Sequence, residues 1–139
     1  MVALLANKLF KEHYTAIPTK SSIILGKEKN IQYEWKIKGH WNSIAVRSGI
    51  EKYKIEPSTI EEFIFERYFG FTKINENTSQ EYRINHPKWI TNNITSAEVK
   101  CDFEIMYGKP FAILKDLKPN SVILAEGSLV KVNWERQVF

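Results

Sequence analysis

A chain of 139 residues suits one compact domain and is short for two. Its 43% apolar content argues against disorder, and no apolar run approaches membrane-spanning length. The net charge of +4 comes from 20 basic and 16 acidic residues that are interleaved, as in Lys27-Glu28-Lys29 and Glu81-Tyr82-Arg83, which argues against a nucleic-acid-binding face.

The single cysteine, Cys101, precludes an internal disulfide and suits a reducing cytoplasm. The apolar start, Met1 to Ala6, has no basic residues ahead of it and does not read as a secretory signal. Residues 3–13 are expected to be helical, with Leu4, Leu5 and Phe10 on the apolar face, until Pro18 interrupts the chain. Ser21 to Leu25 reads as a strand, followed by a turn at Gly26 to Asn30. Ile31, Tyr33, Trp35 and Ile37 alternate with polar residues, the pattern of a strand with one buried face.

Gly39 breaks that run. Trp41 to Arg47 offers another strand, Ser48-Gly49 a turn, and Ile50 to Ile55 a weaker segment. Pro57-Ser58 predicts a helix start, with Ser58 as the cap and Glu61 completing a capping box. Tyr68 to Lys73 and Ser79 to His86 predict a hairpin that Pro87 ends. Thr95 to Met106 alternates as a strand, with Cys101 on its apolar side, and Phe111 to Leu117 reads as a helical turn or two. Ser121 to Ala125 and Ser128 to Trp134 predict a closing hairpin around Glu126-Gly127. Short turns between strands imply antiparallel pairing, and a mainly β fold with short α-helices, one curved sheet closing toward a barrel, removes exposed edges.

Chemistry-bearing residues concentrate between Glu66 and Trp89. Arg67, where helix gives way to strand, can hold a carboxylate by a two-pronged hydrogen bond or clamp the bend against Glu66 or the backbone. Tyr68 is a donor at a pocket wall or a packed aromatic. His86 shares a strand face with Tyr82 and Ile84 and serves as an acid–base group or a plain hydrogen-bonding residue. Trp89 and the other tryptophans, Trp35, Trp41 and Trp134, line a pocket or the core. The histidines at 13, 40 and 86 lack metal-ligand spacing, and there is no Gly-rich phosphate loop and no Gly-x-Ser-x-Gly elbow, so no metal or cofactor is expected.

The order of elements resembles the YqjF-like family of uncharacterised conserved proteins, related in fold to acetoacetate decarboxylase. The resemblance rests on Ala6-Asn7-Lys8-Leu9-Phe10 with Tyr14 and Pro18, on Phe63-Ile64-Phe65-Glu66-Arg67-Tyr68, on Ile84-Asn85-His86-Pro87-Lys88-Trp89, and on Val130-Lys131-Val132-Asn133-Trp134. It covers residues 1–139 as one domain similar to the later, C-terminal part of the family pattern, whose opening strands have no counterpart here. It implies a barrel-like sheet around a small-molecule cavity, incomplete on its N-terminal side. In the decarboxylases the catalytic lysine directly follows a proline. Here Thr19 follows Pro18 and cannot form a Schiff base, while Lys20 matches a second, assisting lysine.

The resulting expectation is a cytoplasmic protein that binds a small organic, anionic ligand without Schiff-base decarboxylation. Tyr14, Lys20, Arg67, Tyr68, Tyr82, His86 and Trp89 are its candidate ligand-binding residues. Two alternatives stand beside it. One is a keto-acid enzyme with Lys20 as an amine nucleophile. The other is an interaction protein whose open sheet edge meets a partner or a second copy.

Overall fold

The computed structural model of the chain describes residues 2–139. It is mainly β with short helices and antiparallel pairing. The chain divides into two compact units: Met1–Ala16, Lys54–Trp89 and Glu126–Phe139 form unit 1, and Ile17–Tyr53 with Ile90–Ala125 form unit 2.

Unit 2 is built on a five-stranded sheet in the order β1-β2-β3-β6-β7. These strands are β1 (Thr19–Leu25), β2 (Lys29–Ile37), β3 (His40–Lys54), β6 (Ile90–Lys100) and β7 (Leu124–Ala125). The β2–β3 hairpin turns on Lys38 and Gly39, whose φ angles are 46° and 88°. Two successive positive φ values match the right-handed twist of the flanking strands, which is why a glycine stands there. β3 runs without interruption through Ser48-Gly49, where a turn was expected. Ser48 is fully buried in the strand and Gly49 has no positive φ, so nothing turns the chain.

Unit 1 holds a three-stranded sheet in the order β4-β5-β8, from β4 (Phe69–Asn75), β5 (Thr78–Asn85) and β8 (Lys131–Val138). Helix α1 (Val2–Phe10) ends where Lys11 takes a φ of 58°. The segment after it is tied to the sheet: Thr72 donates to Glu12 at 2.8 Å, the Gln80 amide donates to the Phe10 carbonyl, and His13 Nε2 lies 3.1 Å from the Lys73 carbonyl. Helix α2 (Ile60–Phe65) is capped one residue later than expected, by Thr59, which accepts from the Glu62 amide at 3.2 Å. Glu62 answers by accepting from the Ser58 amide at 2.7 Å. The cap is therefore Thr59, and Glu62 reaches one residue past it, because Ser58 takes a φ of 63° and sits outside the helix.

Two further expectations are corrected. The run from Thr95 to Met106 is not one strand: β6 ends at Lys100, and Asp102 caps a short helix α3 (Phe103–Tyr107) by accepting from the Ile105 amide at 2.9 Å. A 3-10 helix follows (Lys109–Asp116). The closing hairpin does not form either. β7 pairs with β6 in unit 2, and β8 pairs with β5 in unit 1. The strands therefore build two open sheets, neither of which closes on itself among the described residues, in place of one sheet closing toward a barrel. Pro87 has no amide to extend the β5 ladder, and the next strand belongs to the other sheet.

The buried side chains among the described residues are polar: Asn42, Ser48 and Asn92 in unit 2, Thr72 and Gln80 in unit 1. Such groups are tolerable only when hydrogen-bonded. Asn42 accepts from the Asp102 amide at 2.8 Å, and Asn92 accepts from Lys29 at 3.0 Å and donates to the Glu51 carbonyl at 2.8 Å. No apolar residue among those described is buried, so the apolar faces of both sheets stay in contact with solvent.

Candidate functional site

Unit 1 carries two clusters. The first is the region singled out by sequence. Tyr68, just before β4, donates its hydroxyl to Glu66 Oε2. Its ring stacks on His86 with 4.8 Å between centroids and 18° between planes. His86 leans on Trp89 at 5.0 Å, and Trp89 on Phe65 at 5.2 Å. The Trp89 indole donates to Ser128 at 2.6 Å. His86 Nδ1 faces the Pro87 carbonyl at 2.9 Å and Nε2 the Arg67 carbonyl at 3.3 Å. Each ring nitrogen thus faces a backbone carbonyl, and a neutral ring donates to one of the two.

The hydrogen bond to Glu66, followed by burial and the nearby carboxylate charge, holds the Tyr68 phenol above its ordinary value of 10.0. Glu66 Oε1 is buried and has no donor. The group left over in this cluster is thus an acceptor. Arg67 does not join it: its guanidinium lies 3.8 Å from the Phe63 ring centroid, and the residue is exposed. That packing is a cation–π contact, neither the expected two-pronged carboxylate grip nor a clamp against Glu66 or the backbone.

The second cluster lies where β4, β5 and β8 pair. Tyr82 stands opposite Gly70 on one side and Arg136 on the other. A Cβ at Gly70 would sit 2.2 Å from Tyr82 Cζ, so only glycine leaves room for this ring. The Arg136 guanidinium lies between two aromatic rings, 4.3 Å from Phe10 and 4.6 Å from Tyr82. Phe10 in turn packs on Trp134 at 5.3 Å. Arg136 Nη1 donates to the carbonyls of Asn133 and Glu135. Its Nε is buried and has no acceptor. Burial, then the proximity of Tyr14 and Glu12, raises the Tyr82 phenol above 10.0, and Arg136 opposes the rise. A hollow of about 350 Å³ beside these strands takes in Phe69, Glu81, Arg83 and Gln137, whose register puts them on the face of the sheet opposite the Tyr82 and Arg136 side chains.

Lys20 belongs to unit 2. Its Nζ lies 4.3 Å over the Trp41 ring, and its strand position pairs with Glu34. Cys101 is half-buried beyond the end of β6, and burial raises its thiol above 9.0. Among the described residues no group of three or more His, Cys, Asp or Glu side chains is placed to hold a metal ion. No described helix is long and apolar enough to cross a membrane.

The model of DUF2071, a family of uncharacterized conserved proteins, matches residues 1–129. The chain belongs to this family. No curated protein matches it, and no solved structure does.

In this DUF2071 chain the seven candidate residues fall into separate places. Tyr68, His86 and Trp89 come together, Tyr14 and Tyr82 meet in the second cluster, and Arg67 and Lys20 stand apart from both groups. Sequence reading missed Arg136. The signal was present: Val132, Trp134, Arg136 and Val138 share one face by alternation, and an arginine in an apolar stripe calls for partners. Ending the strand at Trp134 hid it.

Proposed function

We propose that this DUF2071 chain binds a small organic anion, a carboxylate foremost, at the Arg136 guanidinium beside Tyr82, without Schiff-base chemistry. The observation that supports this reading best is the Arg136 Nε–H, which is buried beside the Tyr82 ring and has no acceptor. A buried donor left unmade costs about 1–3 kcal/mol, and an ionised acceptor removes that cost while forming a charge-assisted hydrogen bond.

The YqjF-like, acetoacetate decarboxylase-like resemblance favours the same ligand class, and Thr19 after Pro18 removes the amine that decarboxylation needs. Thermal shift with acetate, pyruvate and acetoacetate, against acetamide and methylammonium, tests the reading. A ligand at 100 times its Kd stabilises by about 2.7 kcal/mol. The carboxylates raise the Tm and the controls do not; no response to any carboxylate contradicts the proposal. Borohydride treatment with acetoacetate leaves the mass unchanged, and an adduct at Lys20 would restore the enzymatic alternative.

A further inference from the structure

The outer strand of the unit 2 sheet, β1, has one edge paired with β2 and the other open. Lys36 donates its amide to the Pro18 carbonyl at 2.9 Å. In the antiparallel register that follows, Lys20, Ser22 and Ile24 turn their backbone groups toward β2. Thr19, Ser21, Ile23 and Leu25 turn theirs outward. All seven β1 residues are exposed, and Ile23, Ile24 and Leu25 are exposed by 53%, 62% and 69%. No proline or bulge blunts this edge, and its lone charge, Lys20, is drawn over the Trp41 ring of its own sheet. These are the devices that usually protect an edge.

We infer that β1 pairs antiparallel with β1 of a second copy of the chain, about a two-fold axis at Ser22. In that register Ser21 faces the partner's Ile23 and Thr19 faces the partner's Leu25, so each outward amide meets a carbonyl. The sequence Thr19-Lys-Ser-Ser-Ile-Ile-Leu25 places no like charges opposite each other, whereas an axis at Lys20 would oppose two ammonium groups. The side-chain fit points to the same axis. Ile17, Thr19, Ser21, Tyr33 and Trp35 line a hollow of about 510 Å³ on the apolar face of the strand. The two-fold delivers the partner's exposed Ile23 and Leu25 beside Ser21 and Thr19, at the rim of this hollow. Each copy supplies both the projecting side chains and the recess, as a self-complementary interface requires.

The exposed surface leaves room for such an interface. The chain exposes 10871 Å². Even as two separate bodies of half its mass of 16.3 kDa, it would expose only about 9,000 Å². A standard interface covers about 800 Å² on each partner.

Sedimentation of the full chain at tens of micromolar tests the pairing. A mass twice that of the monomer is expected, and a clean monomer overturns the inference. Ser21→Pro removes an outward amide without removing a β1–β2 bond, so it abolishes the dimer while the β-sheet circular dichroism stays. Should that variant unfold, cysteines read the register. On a Cys101→Ser background, Ser22→Cys forms an interchain disulfide on mild oxidation, because directly opposed residues of this kind sit about 4.5 Å apart between Cα atoms. Ser21→Cys does not. A folded Ser21→Pro that stays dimeric, or a dimer that Ser22→Cys fails to crosslink, places the contact elsewhere and overturns it.

Discussion

The two clusters of unit 1 are both built on tyrosine, tryptophan and phenylalanine rings and end with opposite unmet needs. Between Glu66 and Trp89, Tyr68 donates to Glu66, Trp89 donates to Ser128, His86 stacks between them against backbone carbonyls, and a carboxylate oxygen is left without a donor. Around Tyr82 and Arg136, rings hold the guanidinium by its faces, backbone carbonyls take Nη1, and the group left over is a donor. A dense run of reactive side chains in sequence is therefore a self-contained stack. A lone arginine in an apolar stripe is the residue with capacity to spare. Binding follows what is left unpaired, not how many polar groups lie close together.

The largest effect should come from filling the space under Tyr82. Gly70→Val places side-chain carbon where the phenol ring lies, and overpacking of this kind costs about 1–3 kcal/mol. Denaturant unfolding should show that loss, together with loss of carboxylate binding, since the displaced ring no longer backs Arg136. Gly70→Val in place with an undisturbed Tyr82 would dissolve the distinction between the clusters. Next in size is Tyr68→Phe, which strips the donor from Glu66 and leaves both of its oxygens unmet. It should lower stability by about 1–2 kcal/mol while carboxylate binding stays. Thr59→Ala removes the α2 cap and should cost about 1 kcal/mol, again without touching binding.

A pH series separates the clusters more gently. Tyr68 and Tyr82 both titrate above 10.0 in the fold. A raised phenol contributes stability that is present below the unfolded value and lost as pH rises through the folded one. Unfolding free energy should therefore fall between about pH 10 and the folded titration range. In Tyr68→Phe part of that slope disappears, and an unchanged slope would mean the Glu66 bond is not made in solution.

The strands that alternate cleanly were legible in sequence: β2, β4 and β5 lie where Tyr33, Phe71 and Tyr82 place them. What sequence could not supply was which strands share a sheet. Period-two alternation fixes the face of a residue but not its neighbour. The segments from Ser121 and from Ser128 look like a hairpin, yet each pairs with an older strand in a different sheet. The misplaced cap has a similar origin. Ser58 and Thr59 are both good caps, and only the backbone angle at Ser58 decides between them. For the site, Tyr14 and Tyr82 stand out in sequence but Arg136 does not, because its cross-strand pairing with Tyr82 is invisible until β8 has a register.

Calorimetric titration of pyruvate into the wild-type chain, Arg136→Met and Arg67→Ala bears on the difference between the two clusters without intermediaries. Loss of a charge-assisted hydrogen bond, worth about 1.5–3 kcal/mol, should weaken binding by roughly 10- to 100-fold in Arg136→Met. Arg67→Ala should bind as the wild type does. Equal affinity in wild type and Arg136→Met, or loss of binding in Arg67→Ala alone, would return the anion site to the Glu66–Trp89 stretch and contradict the account.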